Sequence, residues 1–188
     1  MKVYDDEVFA NVSFVDGGMD GCEYDGCSFE GCDFSGVSFG GKELINCSFV
    51  DCNLSMVALN GAGLKNVTFT RCKLVGVDFS LANGMLFSVS FSECLLDYTI
   101  FIKRNLKGAA FTDCSLKMAI FEECNLQSAK FSGAILEGST FTKCNIQDAD
   151  FTSASLYAID LSVNSCKNAR FSYPGLLGLL TKYGIKIE

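Results

Sequence analysis

Histidine and tryptophan are absent from the 188 residues, and proline occurs once, at Pro174. Without histidine the chain lacks the commonest general base and the commonest metal ligand at neutral pH, which weakens most enzyme readings at once. No run of about 18 apolar residues exists, so no membrane-spanning helix is expected. The opening residues, Met1-Lys2-Val3-Tyr4-Asp5-Asp6-Glu7, lack the apolar stretch of a secretory signal, and the expected compartment is the cytoplasm. Positive charge is scarce early in the chain. Residues 1–60 hold 11 Asp/Glu against 2 Lys/Arg, whereas residues 61–188 hold 11 against 13. One end of the molecule is therefore acidic and the rest nearly neutral. The net charge of -7 argues against direct nucleic-acid binding through basic patches.

What is abundant is large apolar residues at a fixed spacing. Steps of five from Tyr4 to Phe79 meet 16 such residues without exception, and steps of five from Leu86 to Leu161 meet another 16. Phe91, Leu96, Phe111, Leu116, Phe131 and Phe151 belong to the second series and are candidate core residues. Phe87 alone among the 17 Phe is off register, with Phe171 counted as a continuation. A period of five fits neither a helix (3.6) nor a flat strand (2). It fits a coil with five-residue sides, one large inward side chain per side and a turn at each corner. The residue two before the inward one is usually small, as in Cys32, Cys52, Ala119 and Ala149, which makes room for large neighbours in a thin, close-packed core. The other positions are mostly polar or Gly and face water.

The same register accounts for the cysteines. Ten of the 11 occupy the small inward position, and Cys166 falls where a large inward residue is due. There is no Cys-x-x-Cys, and the spacing follows the repeat, not a ligand cage, so no metal and no cofactor are expected. In a reducing compartment these are buried thiols that pack as small hydrophobes. No nucleophile–base set and no phosphate-binding loop is present, so the chain is not read as an enzyme.

Cys32-Asp33-Phe34, Cys52-Asn53-Leu54, Cys124-Asn125-Leu126 and Ala149-Asp150-Phe151 resemble the repeats of the pentapeptide-repeat family, over about residues 4–171. The resemblance implies an all-β fold, a right-handed quadrilateral β-helix with four repeats per coil. Eight coils at about 4.8 Å each make a shaft of roughly 40 Å. Residues 1–171 form this expected solenoid and residues 172–188 a C-terminal cap.

The register breaks where function has room. Lys42 and Arg104 occupy small inward positions, so each is expected to reach outward or to mark a distortion. Residues 80–86 hold two residues more than a repeat, and Leu81, Asn83, Gly84 and Met85 form a candidate partner-contacting loop around an Asn-Gly turn. After Phe171, a short helix is expected from about Pro174, stopped by Gly184, followed by a strand-like 185–188. Leu176, Leu177, Leu179, Leu180, Ile185 and Ile187 are candidates for a two-fold dimer contact. Asp16, Asp20, Glu23, Asp25, Glu30, Asp33 and Asp51 lie at outward positions and are candidate partner-facing carboxylates.

The tail Leu176-Leu177-Gly178-Leu179-Leu180-Thr181-Lys182-Tyr183-Gly184-Ile185-Lys186-Ile187 is similar to that of the Qnr, McbG and AlbG group within the family. That resemblance implies a homodimer that engages DNA gyrase or topoisomerase IV and protects it from quinolones or related toxins, by mimicry of DNA. The alternative is an interaction scaffold with another partner.

Overall fold

A computed structural model describes residues 2–186. The chain winds as a parallel β-solenoid of about eight coils closed by one short helix. The strand registers fix four five-residue sides per coil, because Tyr4 stands opposite Tyr24, Tyr24 opposite Leu44 and Leu44 opposite Leu64. β1 (Val3–Asp5) pairs in parallel with Glu23–Asp25, then Glu43–Ile45, then Gly63–Lys65. β2 (Val8–Ala10) begins a six-stranded sheet on the adjoining side, which runs through Ser28–Glu30, Ser48–Val50, Val67–Thr70 and Val89–Ser92 to Phe111–Thr112. Single bridges such as Ser13 with Asp33 and Asp33 with Asn53 make a further side.

Most sides turn at a residue two past the inward one, and that residue has a positive φ: Asn11 after Phe9, Asp51 after Phe49, Asn46 after Leu44. Such left-handed backbone suits Gly, Asn and Asp and costs other residues about 1–2 kcal/mol. Gly26 and Gly31 meet the demand without a side chain.

The core is a stack of rings. Phe9, Phe29, Phe49, Phe69, Phe91, Phe111, Phe131, Phe151 and Phe171 lie face to face, with centroids between 4.6 Å and 5.4 Å apart. The spacing is that of stacked strands, and it falls in the range where offset rings attract. A second stack, Phe79, Phe101, Phe121 and Phe141, meets the first edge-on at 74–88°. Phe91, Phe111, Phe131, Phe151, Leu96 and Leu116 are all buried.

Two inward assignments are corrected by the structure. Leu86 and Leu156, which fall on the five-residue count, are 65% and 64% exposed and have φ of 59° and 56°. In each case the aromatic residue one position later, Phe87 or Tyr157, is buried instead. The chain slips by one position there, and the larger ring takes the core site because it buries more apolar area.

The ring stack generates a test. Phe111→Ala should lower unfolding stability by about 3–5 kcal/mol, since the coil above and below cannot collapse into the gap. Chemical denaturation measures this; a loss below about 1 kcal/mol would show that the stack does not hold the coils together.

Candidate protein-binding surface

The core positions leave the exterior to three features: the corner columns, the jog at 80–87 and the two ends. Stacking of the coils in register aligns equivalent corners into lines along the rod. One line carries a charged ladder in which Glu123 lies between Lys103 (3.7 Å) and Lys143 (3.8 Å). Another carries Asp51 and Arg71, joined by two hydrogen bonds of 2.8 and 2.9 Å. Asn46 and Asn66 form an amide ladder, and Asn46 Nδ2 donates to Asp25. A fourth line is apolar, with Met56, Tyr98 and Met118 exposed at positive-φ corners. Leu95 and Ile120 are exposed as well.

The seven candidate carboxylates divide into two sets. Four are engaged within the chain. Asp20 accepts from Lys2 Nζ (2.7 Å) and the Tyr4 hydroxyl (3.0 Å), and the lysine first, then the tyrosine, hold its carboxyl below the usual range. Asp25 accepts from Asn46. Asp33 accepts from the Ser35 N–H and from Asn53, and its carboxyl is also held low, by Ser35 first. Asp51 is spent on Arg71. Asp16, Glu23 and Glu30 have no partner among the described residues.

At the jog, Asn83 N–H still bonds the Ala62 carbonyl one coil back, the same step that joins Ser28 to Glu7 in the first coils. Val67 N–H then reaches the Ser88 carbonyl, two positions beyond the step seen for Asp6 and Asp25, so the excess lies between 83 and 88. The Asn83 side chain accepts from Met85 N–H and closes the turn. Leu81, Asn83, Gly84 and Met85 all lie on the exposed rim. Arg104 holds this rim from below. Its guanidinium stacks over Phe87 at 5.4 Å and donates to the Ser80 carbonyl, so it stays half-buried. Lys42 donates to the Gly21 carbonyl at 2.9 Å, also half-buried. Both cations stay partly inside and cap backbone oxygens. Between the jog and the next coil opens a polar cleft of about 360 Å³ lined by Ser88, Ser90, Asn105 and Lys107.

At the C-terminal end the helix α1 spans Leu176–Leu180 and continues as a tight turn through Thr181–Tyr183 to Gly184, whose φ is 60°. The regular helix is thus shorter than expected, and 185–186 form no strand. Gly175 and Gly178 press on Tyr157: a Cβ at either would overlap its hydroxyl or its carbonyl. Sequence reasoning missed this seat, because Tyr157 lies one position off the count. Of the candidate dimer residues, Leu179 packs against the core and does not face out. Leu180 is half-buried, Leu176, Leu177 and Ile185 are exposed, and Ile187 lies outside the described residues.

The inward thiols follow the packing. All are buried except Cys22, in the second coil's first side, which is half-buried. Cys27, Cys32 and Cys47 are pushed up by burial, Cys47 to about 12. All cysteines are free, and among the described residues no group of three or more His, Cys, Asp or Glu is placed to hold a metal. Among the same residues no helix is long and apolar enough to cross a membrane.

The model of a pentapeptide repeat region matches residues 22–101 and 80–151. The chain belongs to the pentapeptide-repeat family. Its solenoid is that family's right-handed quadrilateral β-helix. Among solved structures, a trypsin-treated variant of QnrB1, a plasmid-mediated fluoroquinolone resistance protein, superposes over 100% of both chains at 18% identity and a TM-score of 0.55. HetL, a pentapeptide-repeat protein involved in heterocyst differentiation regulation from the cyanobacterium Nostoc, aligns over 92% of this chain and 87% of its own at 18% identity, with a TM-score of 0.43. No curated protein sequence matches the chain.

Lys182 ties the cap to the solenoid through Asp160 and the Ser162 hydroxyl. The lysine first, then Ser162, depress the Asp160 carboxyl to about 2 from 3.8. A depressed carboxylate adds stability above about pH 4 and loses it as pH falls toward 2. Pepsin should therefore cut within 176–183 increasingly between pH 4 and 2 while the repeat core stays intact. Asp160→Asn should remove that pH step; a wild-type-like step in the variant would show that this pair does not hold the cap.

Proposed function

We propose that this protein is a non-enzymatic binding rod that engages DNA gyrase or topoisomerase IV and protects it from quinolones or related toxins. The observation that carries this reading is the acidic end of the shaft, with 11 Asp/Glu against 2 Lys/Arg in residues 1–60, set on a stack of coils. Asp5 stands opposite Asp25 and Glu23 opposite Glu43 on successive coils, a step of about 4.8 Å along the rod, against about 3.4 Å between phosphates along a duplex strand. Asp16, Glu23 and Glu30, with no partner among the described residues, are available to a basic DNA-binding saddle. The fold shared with QnrB1, itself a fluoroquinolone resistance protein, supports the choice of target. With this activity the protein works in the cytoplasm beside its target.

The rod acts as a pair. Leu176, Leu177 and Ile185 are 42%, 58% and 56% exposed at the capped end, and a two-fold contact there would bury them. Light scattering should give twice the mass of one chain, and Leu177→Glu should give a monomer. A monomeric wild type at micromolar concentration would remove the dimer.

Purified protein should restore gyrase supercoiling in the presence of ciprofloxacin, or compete with DNA in its absence. A variant with Asp16→Asn, Glu23→Gln and Glu30→Gln should need at least tenfold more protein for the same effect, with an unchanged melting temperature. No effect of the wild type at tens of micromolar would overturn the topoisomerase reading. The exposed apolar corner of Met56, Tyr98 and Met118 favours a second reading, a scaffold for another protein; a pull-down dominated by proteins other than topoisomerases would favour it.

A further inference from the structure

The two ends of the rod differ. The C-terminal end is covered by α1, while β1 and β2 are the outermost strands of their sheets among the described residues. The ladder shows which backbone groups that leaves open. In the second coil, Ser28 and Asp33 donate upward to Glu7 and Val12 (2.9 and 3.0 Å). From the first coil, Asn11 and Phe14 donate downward to Glu30 and Asp33 (both 2.8 Å). One coil earlier the equivalent groups are the N–H of Val8 and Ser13 and the carbonyls of Ala10 and Ser13. Among the described residues no coil lies above them.

The rings repeat the asymmetry. Tyr24, Phe29 and Phe34 are buried, whereas their stacking partners Tyr4, Phe9 and Phe14 are only half-buried. Val3 and Val8 beside them are 55% and 65% exposed. Sheet edges are normally guarded by lysine, proline, bulges or a covering element. Here the guard is carboxylate alone. Residues 1–21 hold Asp5, Asp6, Glu7, Asp16 and Asp20 against one cationic side chain, Lys2, which is bound to Asp20.

This charge selects the occupant. A second copy would set the four carboxylates that Lys2 leaves unpaired against four more, which disfavours end-to-end pairing of two acidic coils. We propose that the N-terminal coil is a docking edge for an extended, lysine- or arginine-bearing segment of a partner protein, added as a strand along β2. The added strand would accept from Val8 N–H and donate to the Ala10 carbonyl. Its inward side chain would cover the open face of Phe9 and extend the ring stack, and its cations would sit beside Asp6 and Glu7. Strand addition of this kind draws affinity from main-chain bonds and selectivity from alternate side chains. The inference does not depend on which protein the rod binds.

The test uses the full chain and a fluorescein-labelled eight-residue peptide alternating lysine and valine, read by anisotropy. The cationic peptide should bind, and its glutamate–valine counterpart should not. Val8→Pro removes the open donor at an edge position where proline is tolerated; it should weaken binding at least tenfold, while Val8→Thr keeps it. The wild-type chain supplies a second reading: a lysine–valine peptide N-methylated on the edge-facing amides should bind at least tenfold more weakly. Equal binding of the methylated and unmodified peptides would reduce the effect to charge adsorption and overturn the strand, as would the absence of any binding.

Discussion

Everything in this rod depends on the stacking of one phenyl ring on the next. Strands in register sit about 4.8 Å apart, which is close to the separation at which aromatic rings attract in an offset stack. A side chain that satisfies one spacing satisfies the other. That coincidence lets a solenoid with a core only a few side chains wide exclude water. It also explains why the column from Phe9 to Phe171 crosses the jog without a gap: Phe69 and Phe91 have the longer connection between them yet are 5.3 Å apart in the stack. The extra length is pushed outward to the rim at Asn83–Leu86 so that the rings stay in line.

The division between core and surface follows. Inward positions hold mostly Phe, Leu, Cys and Ala, which fill space. The corners carry the freedom. Their left-handed backbone is met by Gly, Asn or Asp at many coils, but also by Met56, Tyr98, Met118, Arg71 and Lys103, each at a cost of about 1–2 kcal/mol in backbone strain. Long side chains at such corners project from a rigid frame at fixed intervals, which is a suitable arrangement for reading a partner. The charged corners neutralise one another in ladders such as Lys103–Glu123–Lys143. Net negative charge survives chiefly in the first coils, where cations are few.

The period of five made a coil with five-residue sides legible from the residues, and the resemblance to the pentapeptide-repeat family supplied its four-sided closure, which the pairing of Tyr4 with Tyr24 and of Tyr24 with Leu44 then shows. The count misled at Leu86 and Leu156. Both are apolar and on register, and only the packing reveals that the neighbouring Phe87 or Tyr157 fills the core better. Phe87 carried a signal, being the one phenylalanine off the count. Tyr157 carried none, and the seat it makes for Gly175 and Gly178 appears only once the helix is docked. Of the acidic residues, sequence could place them outside but not tell Asp51, paired across one coil to Arg71, from Glu23 and Glu30, because that pairing needs the register between coils to be drawn in space.

The ring column thus makes one cooperative body through the jog, and the rim and the ends are the parts free to act. Native-state hydrogen exchange tests this directly. The amides of residues 67–78 and of 89–100, on either side of the jog, should exchange with the same opening free energy and the same denaturant dependence. If the coils before residue 80 opened separately from those after residue 88, the column would not be continuous and the rod would be two bodies.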